Sequence, residues 1–371
     1  MTKPKLLIVG AFPLENSQIV GGVVTVCRIL MESDLRNHFD LVLIDSTQKS
    51  NPPPRFAIRL FSALQRTIRY LSALVREKPD AVILFSSLGA SLAEKSMLAW
   101  LTRIKKIPVF IFPRGAKLIT IVEDKPWQKL WVIPAMRGAT HFLCQGPTWQ
   151  RFAVEVVRFN VNKTEIIYNW TATPELLKIG SQKKEFSGSN KLEILFLGWL
   201  EVEKGIFELL DACLALSKKY QFKLLIAGKG HAEDNARKFV AEHKLESFVE
   251  FLGWTHDSDK SELLSKVDML ALPSWAEGFP NAVIEAMAAK IAVVVTSVGN
   301  IPDILTDREQ VLIIPPKNTE SLTDAIEELL TDTMFRQRLA SRGYLFAKEN
   351  FSTEVGVARL IDIVNKAIRE N

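Results

Sequence analysis

Two carboxylates eight positions apart, Glu277 and Glu285, bracket the segment Gly278-Phe279-Pro280-Asn281. An ionised carboxylate only accepts hydrogen bonds, so such groups suit a ligand rich in donors. Pro280 and Asn281 stand where a helix would begin, and the amino end of a helix favours anions. Glu277 would reach a ligand docked on the loop. Glu285, about one helical turn in, would reach a more distal part of it. Glutamates at this spacing are also common on solvated helices, so the pair by itself is weak evidence of a site.

The flanking elements strengthen the reading. Val267 to Leu272 is a short apolar run with the character of a buried strand, closed by Pro273 and Ser274. A helix follows from Ala282 to Ala289, then a second buried strand from Ile291 to Thr296. In such strand–loop–helix–strand units ligands lie beyond the carboxyl ends of the strands. The whole string from Leu270 to Ile301 closely resembles the E-G-F-x-x-x-x-x-E signature of the family-four retaining glycosyltransferases, the group 1 transferases of the two-domain GT-B class.

Length and composition agree with that class. The 371 residues suggest two domains, and 47% hydrophobic with 24% charged residues fits a globular protein with ample core. No apolar run reaches the length of a membrane span, and the N-terminus has no signal-peptide pattern. Cys27, Cys144 and Cys213 are widely spaced and odd in number, which points to a reducing compartment. The five histidines lack ligand spacing, so no metal is expected. Residues 1–180 hold 24 Lys+Arg against 13 Asp+Glu, a net of +11, and residues 181–371 hold 23 against 29, a net of −6. This asymmetry suggests two domains with different partners. Nucleic acid is a poor candidate, because no recognition motif with interleaved aromatics accompanies the basic residues.

In the first half, the strand Lys5 to Gly10 is followed by Gly21-Gly22 and the apolar segment Val23 to Met31. That order suits a phosphate-binding unit, although β-branched residues weaken the helix expectation for Val23 to Val26. Further strands are expected at 41–45, 81–85, 108–112, 140–144 and 165–167. Asn51 and Pro52 to Pro54 punctuate the chain before a long helix beginning near Arg55. Arg55, Arg59, Arg66, Arg69 and Arg76 fall on an arc of roughly 100° at helical spacing. They are expected either as a solvated face or as a face docked on an anionic membrane surface. Pro113-Arg114-Gly115 ends the strand 108–112 at a place where many family members carry a histidine and some carry Pro-Arg-Gly. Arginine stays protonated and is no general base, but it could hold a donor phosphate or an acidic acceptor.

Residues 171–190, rich in Lys, Ser and Gly towards their end, read as a linker. After the strand Leu192 to Gly198, the run from Gly198 to Gly205 resembles the family's G-R-L-x-x-x-K-G motif, with Lys204 and Gly205 matching and Trp199 in place of the arginine. Gly228-Lys229-Gly230 follows the strand Lys223 to Ala227 and resembles the family's G-x-G loop. Phe248 to Gly253 leads to Trp254-Thr255-His256-Asp257, where backbone pairs with the base in relatives. Asp257-Ser258-Asp259 is expected to cap the helix Glu262 to Lys266 rather than bind metal.

Alternating strands and helices imply an α/β protein of two doubly wound, Rossmann-like parallel-sheet domains, which the resemblance places across a cleft as in the GT-B type. The expected divisions are an acceptor-binding domain at 1–170, a linker at 171–190, a nucleotide-sugar domain at 191–350 and a final helix at 351–371 that packs back on the first. The resemblance implies transfer of a sugar from a nucleotide diphosphate sugar to an acceptor hydroxyl, with retention, in cell-surface polysaccharide or lipid-linked glycan synthesis. It implies Glu277 and the amides of Gly278, Phe279 and Asn281 on the donor sugar, and Glu285 on the ribose. It also implies Lys204 on the departing diphosphate; for the arginine that Trp199 replaces, either Arg114 or a backbone amide compensates, or donor affinity is reduced. Gly21, Gly22, Gly198, Gly228, Trp254 and Thr255 complete the donor site. Arg55, Arg59, Arg66 and Arg69 would face a membrane. No cofactor or metal is implied, and the location is cytoplasmic, possible also at the inner membrane face. A non-catalytic nucleotide-sugar-binding partner, a sugar phosphorylase and an epimerase are the alternatives on the same scaffold.

Overall fold

The computed structural model describes residues 3–12, 21–47, 55–115, 117–183, 191–255 and 257–371. The expected punctuation at Asn51 to Pro54, His256 and the Lys/Ser/Gly-rich residues 184–190 lie outside them. The chain forms two compact units, Met1–Thr171 with Thr353–Asn371, and Ala172–Ser352. Among the described residues no helix is long and apolar enough to cross a membrane.

The first unit runs β1 (Lys5–Gly10), α1 (Gly22–Glu32), α2 (Leu35–His38), β2 (Asp40–Asp45), α3 (Phe56–Arg76), β3 (Ala81–Ser86), α4 (Ala90–Ile104), β4 (Val109–Pro113), α5 (Lys117–Asp124), α6 (Lys129–Met136), β5 (His141–Cys144), α7 (Pro147–Arg151) and β6 (Thr164–Ile166). The sheet order is β2-β1-β3-β4-β5-β6, and every pair is parallel. Leu6 to Val9 and Ala81 to Leu84 are fully buried, because helices cover both faces of the sheet. One face carries Tyr70, Leu74, Leu98, Val132 and Trp149; the other carries Leu30, Phe112, Trp170 and the final helix. Segment 23–31 is helical despite its β-branched residues, since Val26, Cys27, Ile29 and Leu30 drop into that core.

α3 departs from the expected arginine face. Arg66 turns inward and grips Glu94 of α4 through both nitrogens, Nε to Oε1 at 2.5 Å and Nη2 to Oε2 at 2.9 Å. It is therefore not membrane-facing. Lys95, 2% exposed, lies 2.9 Å from the same carboxylate. Burial alone would raise the Glu94 pKa, but these two cations bring it below the ordinary value. Arg55, Arg59, Arg69 and Arg76 remain exposed.

The second unit runs α8 (Pro174–Gln182), β7 (Leu192–Leu197), α9 (Ile206–Leu216), β8 (Phe222–Ala227), α10 (Glu233–Glu242), β9 (Val249–Gly253), α11 (Asp257–Lys266), β10 (Met269–Leu272), α12 (Asn281–Ala288), β11 (Ala292–Thr296), α13 (Ile301–Ile304), β12 (Leu312–Ile314), α14 (Thr319–Thr331) and α15 (Thr333–Asn350). Its all-parallel order β12-β11-β10-β7-β8-β9 reverses direction between β7 and β10. α16 (Thr353–Arg369) then completes the first unit, with Val357, Leu360 and Val364 in the core beside Trp170.

Much of the segment expected as a linker is α8. Thr173 caps it by accepting from Leu176 N at 3.3 Å, and Pro174 occupies its first position. Its Gly180 packs so closely on α12 that an added Cβ would lie 2.3 Å from Ala288 O. The helix therefore belongs to the second unit.

Candidate active site

In a doubly wound sheet the crevice opens where the strand order reverses. In the second unit that point separates the carboxyl ends of β7 and β10, and loop 273–280 leaves β10 there. The loop is anchored along its length. Thr296 at the end of β11 donates to Ser274 O at 2.5 Å. Trp275 N donates to Glu203 O at 2.8 Å, its Nε1 to Glu208 Oε1 at 2.8 Å, and Lys317 Nζ lies 4.3 Å over its ring. Asn300 donates twice to Gly278 O, from its backbone at 2.9 Å and from Nδ2 at 3.2 Å. Two glycines make this closeness possible. Gly205 (φ 73°) and Gly299 (φ 60°) adopt left-handed backbone, and a Cβ on them would lie 2.1 Å from Pro273 O and 2.0 Å from Glu277 O.

The anchoring fixes Glu277. Its Oε1 accepts from Ser274 Oγ at 2.9 Å and pairs with Lys204 Nζ at 2.5 Å. Lys204 follows β7, so the ion pair spans the switch point. Side-chain exposures of 10% for Glu277 and 26% for Lys204 leave the lysine the more accessible partner. Glu285, one turn into α12, is buried and pairs with Lys260 Nζ of α11 at 2.9 Å. Phe279 is buried against the Phe351 ring, centroids 5.1 Å apart, so its side chain is a core anchor. Asn281 opens α12 behind Pro280, which has no amide hydrogen to offer.

Gly198, Gly228 and Gly253 stitch together the ends of β7, β8 and β9: Gly198 N donates to Ala227 O at 3.0 Å and Gly228 N to Gly253 O at 2.7 Å. Trp199 rests on Trp254 with ring centroids 4.9 Å apart, so an aromatic pair stands where the family motif has its arginine. Thr255 follows, half-buried. Asp257 starts α11.

Gly21, Gly22 and Arg114 belong to the first unit. Gly21 precedes α1 and Gly22 is its first residue. Arg114 follows β4; its N donates to Ser86 O at 2.7 Å, and its guanidinium lies 4.9 Å over the Phe112 ring. Its Nη1 is buried and meets no hydrogen-bond acceptor among the described residues. Burial pushes its pKa down to about 10, which still leaves it charged at neutral pH.

Four residues that steer these groups carry no sequence expectation of that role: Ser274 on the loop, Thr296 beneath it, Asn300 before α13, which donates to the loop, and Lys260 on Glu285. Ser274, Thr296 and Asn300 lie within or beside the motif stretch. Lys260, 25 positions from its partner, gives no local signal. Among the described residues no three His, Cys, Asp or Glu side chains gather as a metal site would need.

Residues 180–346 match the family "Glycosyl transferases group 1". That match covers most of the second unit. An uncharacterised glycosyltransferase of Methanocaldococcus jannaschii is 29% identical over 52% of the chain and 51% of that protein. The chain spans about half the length, or somewhat less, of the first curated relatives it matches. The capsular polysaccharide biosynthesis glycosyltransferase CapM of Staphylococcus aureus is 24% identical over 86% of the chain and 85% of its own length. Among solved structures, sucrose-phosphate synthase from Thermosynechococcus elongatus superposes with a TM-score of 0.80 over 100% of both chains at 15% identity, a likeness of fold. The chain thus has the two doubly wound units of the GT-B class.

Proposed function

We propose that the chain transfers a hexosyl group from a nucleotide diphosphate sugar to an acceptor hydroxyl, with retention, on a glycan or lipid-linked glycan of a cell-surface polysaccharide. The observation that carries this reading is the Glu277–Lys204 pair across the switch point of the second unit. An accessible cation beside a fixed carboxylate suits a sugar joined to a diphosphate: Glu277 holds sugar hydroxyls, and Lys204 neutralises the charge that develops on the leaving diphosphate. Glu285 accepts from the ribose hydroxyls, its carboxylate oriented by Lys260. In the step itself the bond from the anomeric carbon to phosphate oxygen breaks. The acceptor oxygen bonds to that carbon on the same face, and its proton passes to the leaving diphosphate. Arg114, whose Nη1 meets no acceptor among the described residues, supplies a second cation for donor phosphate or an acidic acceptor. Three free, buried cysteines accord with a cytoplasmic location.

Thermal shift with UDP, GDP, ADP and CMP and their common sugars tests the donor site. One nucleoside diphosphate should stabilise the protein by about 2.7 kcal/mol at 100 times its Kd, and Glu285→Ala should abolish the shift. The anomeric configuration of the product, read by NMR, tests retention. The Trp199–Trp254 pair favours a second reading, a nucleotide-sugar-binding partner without turnover. Binding with no transfer to any acceptor would select it.

A further inference from the structure

α3 is built with its larger apolar side chains facing out. Towards the sheet it sends Ala63, Thr67, Tyr70 and Leu74, the Tyr70 hydroxyl hydrogen-bonding Thr102 Oγ1 of α4. Away from the sheet stand Leu60, Phe61, Leu64, Ile68, Leu71 and Val75, between 40% and 60% exposed. At 3.6 residues per turn these six occupy an arc of roughly 100°. A water-facing helix ordinarily shows the opposite arrangement.

The charge around this stripe is predominantly positive. Residues 55–76 contain no Asp or Glu, and residues 55–137 carry 15 Lys+Arg against 5 Asp+Glu. Arg69 and Arg76 are exposed and border the stripe on one side, while Arg66 is held inward by Glu94. Neighbouring α4 adds exposed Met97, Trp100 and Ile104.

We propose that this face of the first unit docks on an anionic lipid surface. α3 lies in the plane of the interface, its apolar stripe sits at the level of the upper acyl chains, and Arg69 and Arg76 meet the headgroup phosphates. Self-association is the poorer match: a two-fold contact through α3 would bring its arginines together with no carboxylate on the helix to answer them. The inference goes beyond the proposed transfer reaction and does not depend on the donor site.

Co-sedimentation with vesicles of phosphatidylcholine alone, and of phosphatidylcholine with phosphatidylglycerol, provides the test. The full chain should bind the anionic vesicles at low salt and bind the neutral ones weakly. The double variant Leu64→Ser/Ile68→Ser should bind at least tenfold more weakly, and so should Leu60→Ser/Phe61→Ser, one turn away. Arg69→Gln and Arg76→Gln should each cost about fivefold on anionic vesicles only. Unchanged circular dichroism shows that the variants are folded. No binding of the wild type at low salt, or equal binding by both folded double variants, overturns the proposal. So does a lipid-free dimer, seen by sedimentation velocity, that Leu64→Ser/Ile68→Ser dissolves, which would assign the stripe to a second copy.

Discussion

Arg114 carries its charge to the end of β4, where Nη1 meets no acceptor among the described residues. A buried charged donor without a partner costs about 1–3 kcal/mol. Arg114→Met keeps the stem against Phe112 and removes the charge. The expected result is a Tm raised by about 2–4 °C, together with turnover at least tenfold lower. A fall in both would mean that the guanidinium is structural. His141 is a different buried group. Its ring stacks on Phe110 at 4.7 Å, and burial, helped by Lys163, lowers its pKa from 6.5 to about 4. Between those values the unfolded chain binds a proton that the folded chain does not. Stability is therefore full above pH 6.5 and falls as the pH drops through 4, by up to about 3 kcal/mol. Urea titrations at pH 7 and pH 4.5 should show this loss, and His141→Phe should reduce it.

At the scale of elements, loop 273–280 stays in place because its neighbours press on its carbonyls. Gly299→Ala puts a methyl group 2.0 Å from Glu277 O at a φ of 60°. It should lower the Tm by several degrees and weaken nucleotide binding at least tenfold, measured by denaturant unfolding and by titration calorimetry. An effect on stability alone would separate Gly299 from the position of Glu277. The strands of both sheets were legible because a parallel sheet buried on both faces writes itself as runs of Val, Ile, Leu and Phe. β12, three residues long, is too short to leave such a run. α8 was hidden by the Lys, Ser and Gly that follow it, although Thr173-Pro174 is a sound helix start. The Glu277–Lys204 motif residues were legible as local patterns beside strand ends. Lys260 was not, since its partnership with Glu285 is made only by the fold. The arginines of α3 were visible as an arc, but which arc faces inward is decided by Glu94 and Thr102 on α4, far off in sequence.

At the scale of the whole molecule, each unit has its own sheet and core, yet only the second is continuous in sequence. Residues 172–352 expressed alone should fold cooperatively and retain any nucleotide binding of the second unit. A chain ending at Ser352 should expose Phe112 and Trp170 and lose the first unit's transition in calorimetry, with the second unit's transition retained. A first-unit transition that survived the truncation would show α16 to be dispensable.

α16 also sets an order of events during synthesis. The first unit is the earlier to be translated but the later to be finished, because its last core helix emerges only after the whole second unit. Until then the nascent chain carries an uncovered patch around Trp170, and a ribosome stalled anywhere in the second unit would display it. Folding helpers should therefore act on the front of this chain for as long as its rear is being made, and any premature stop should yield a product marked for disposal by its own open core.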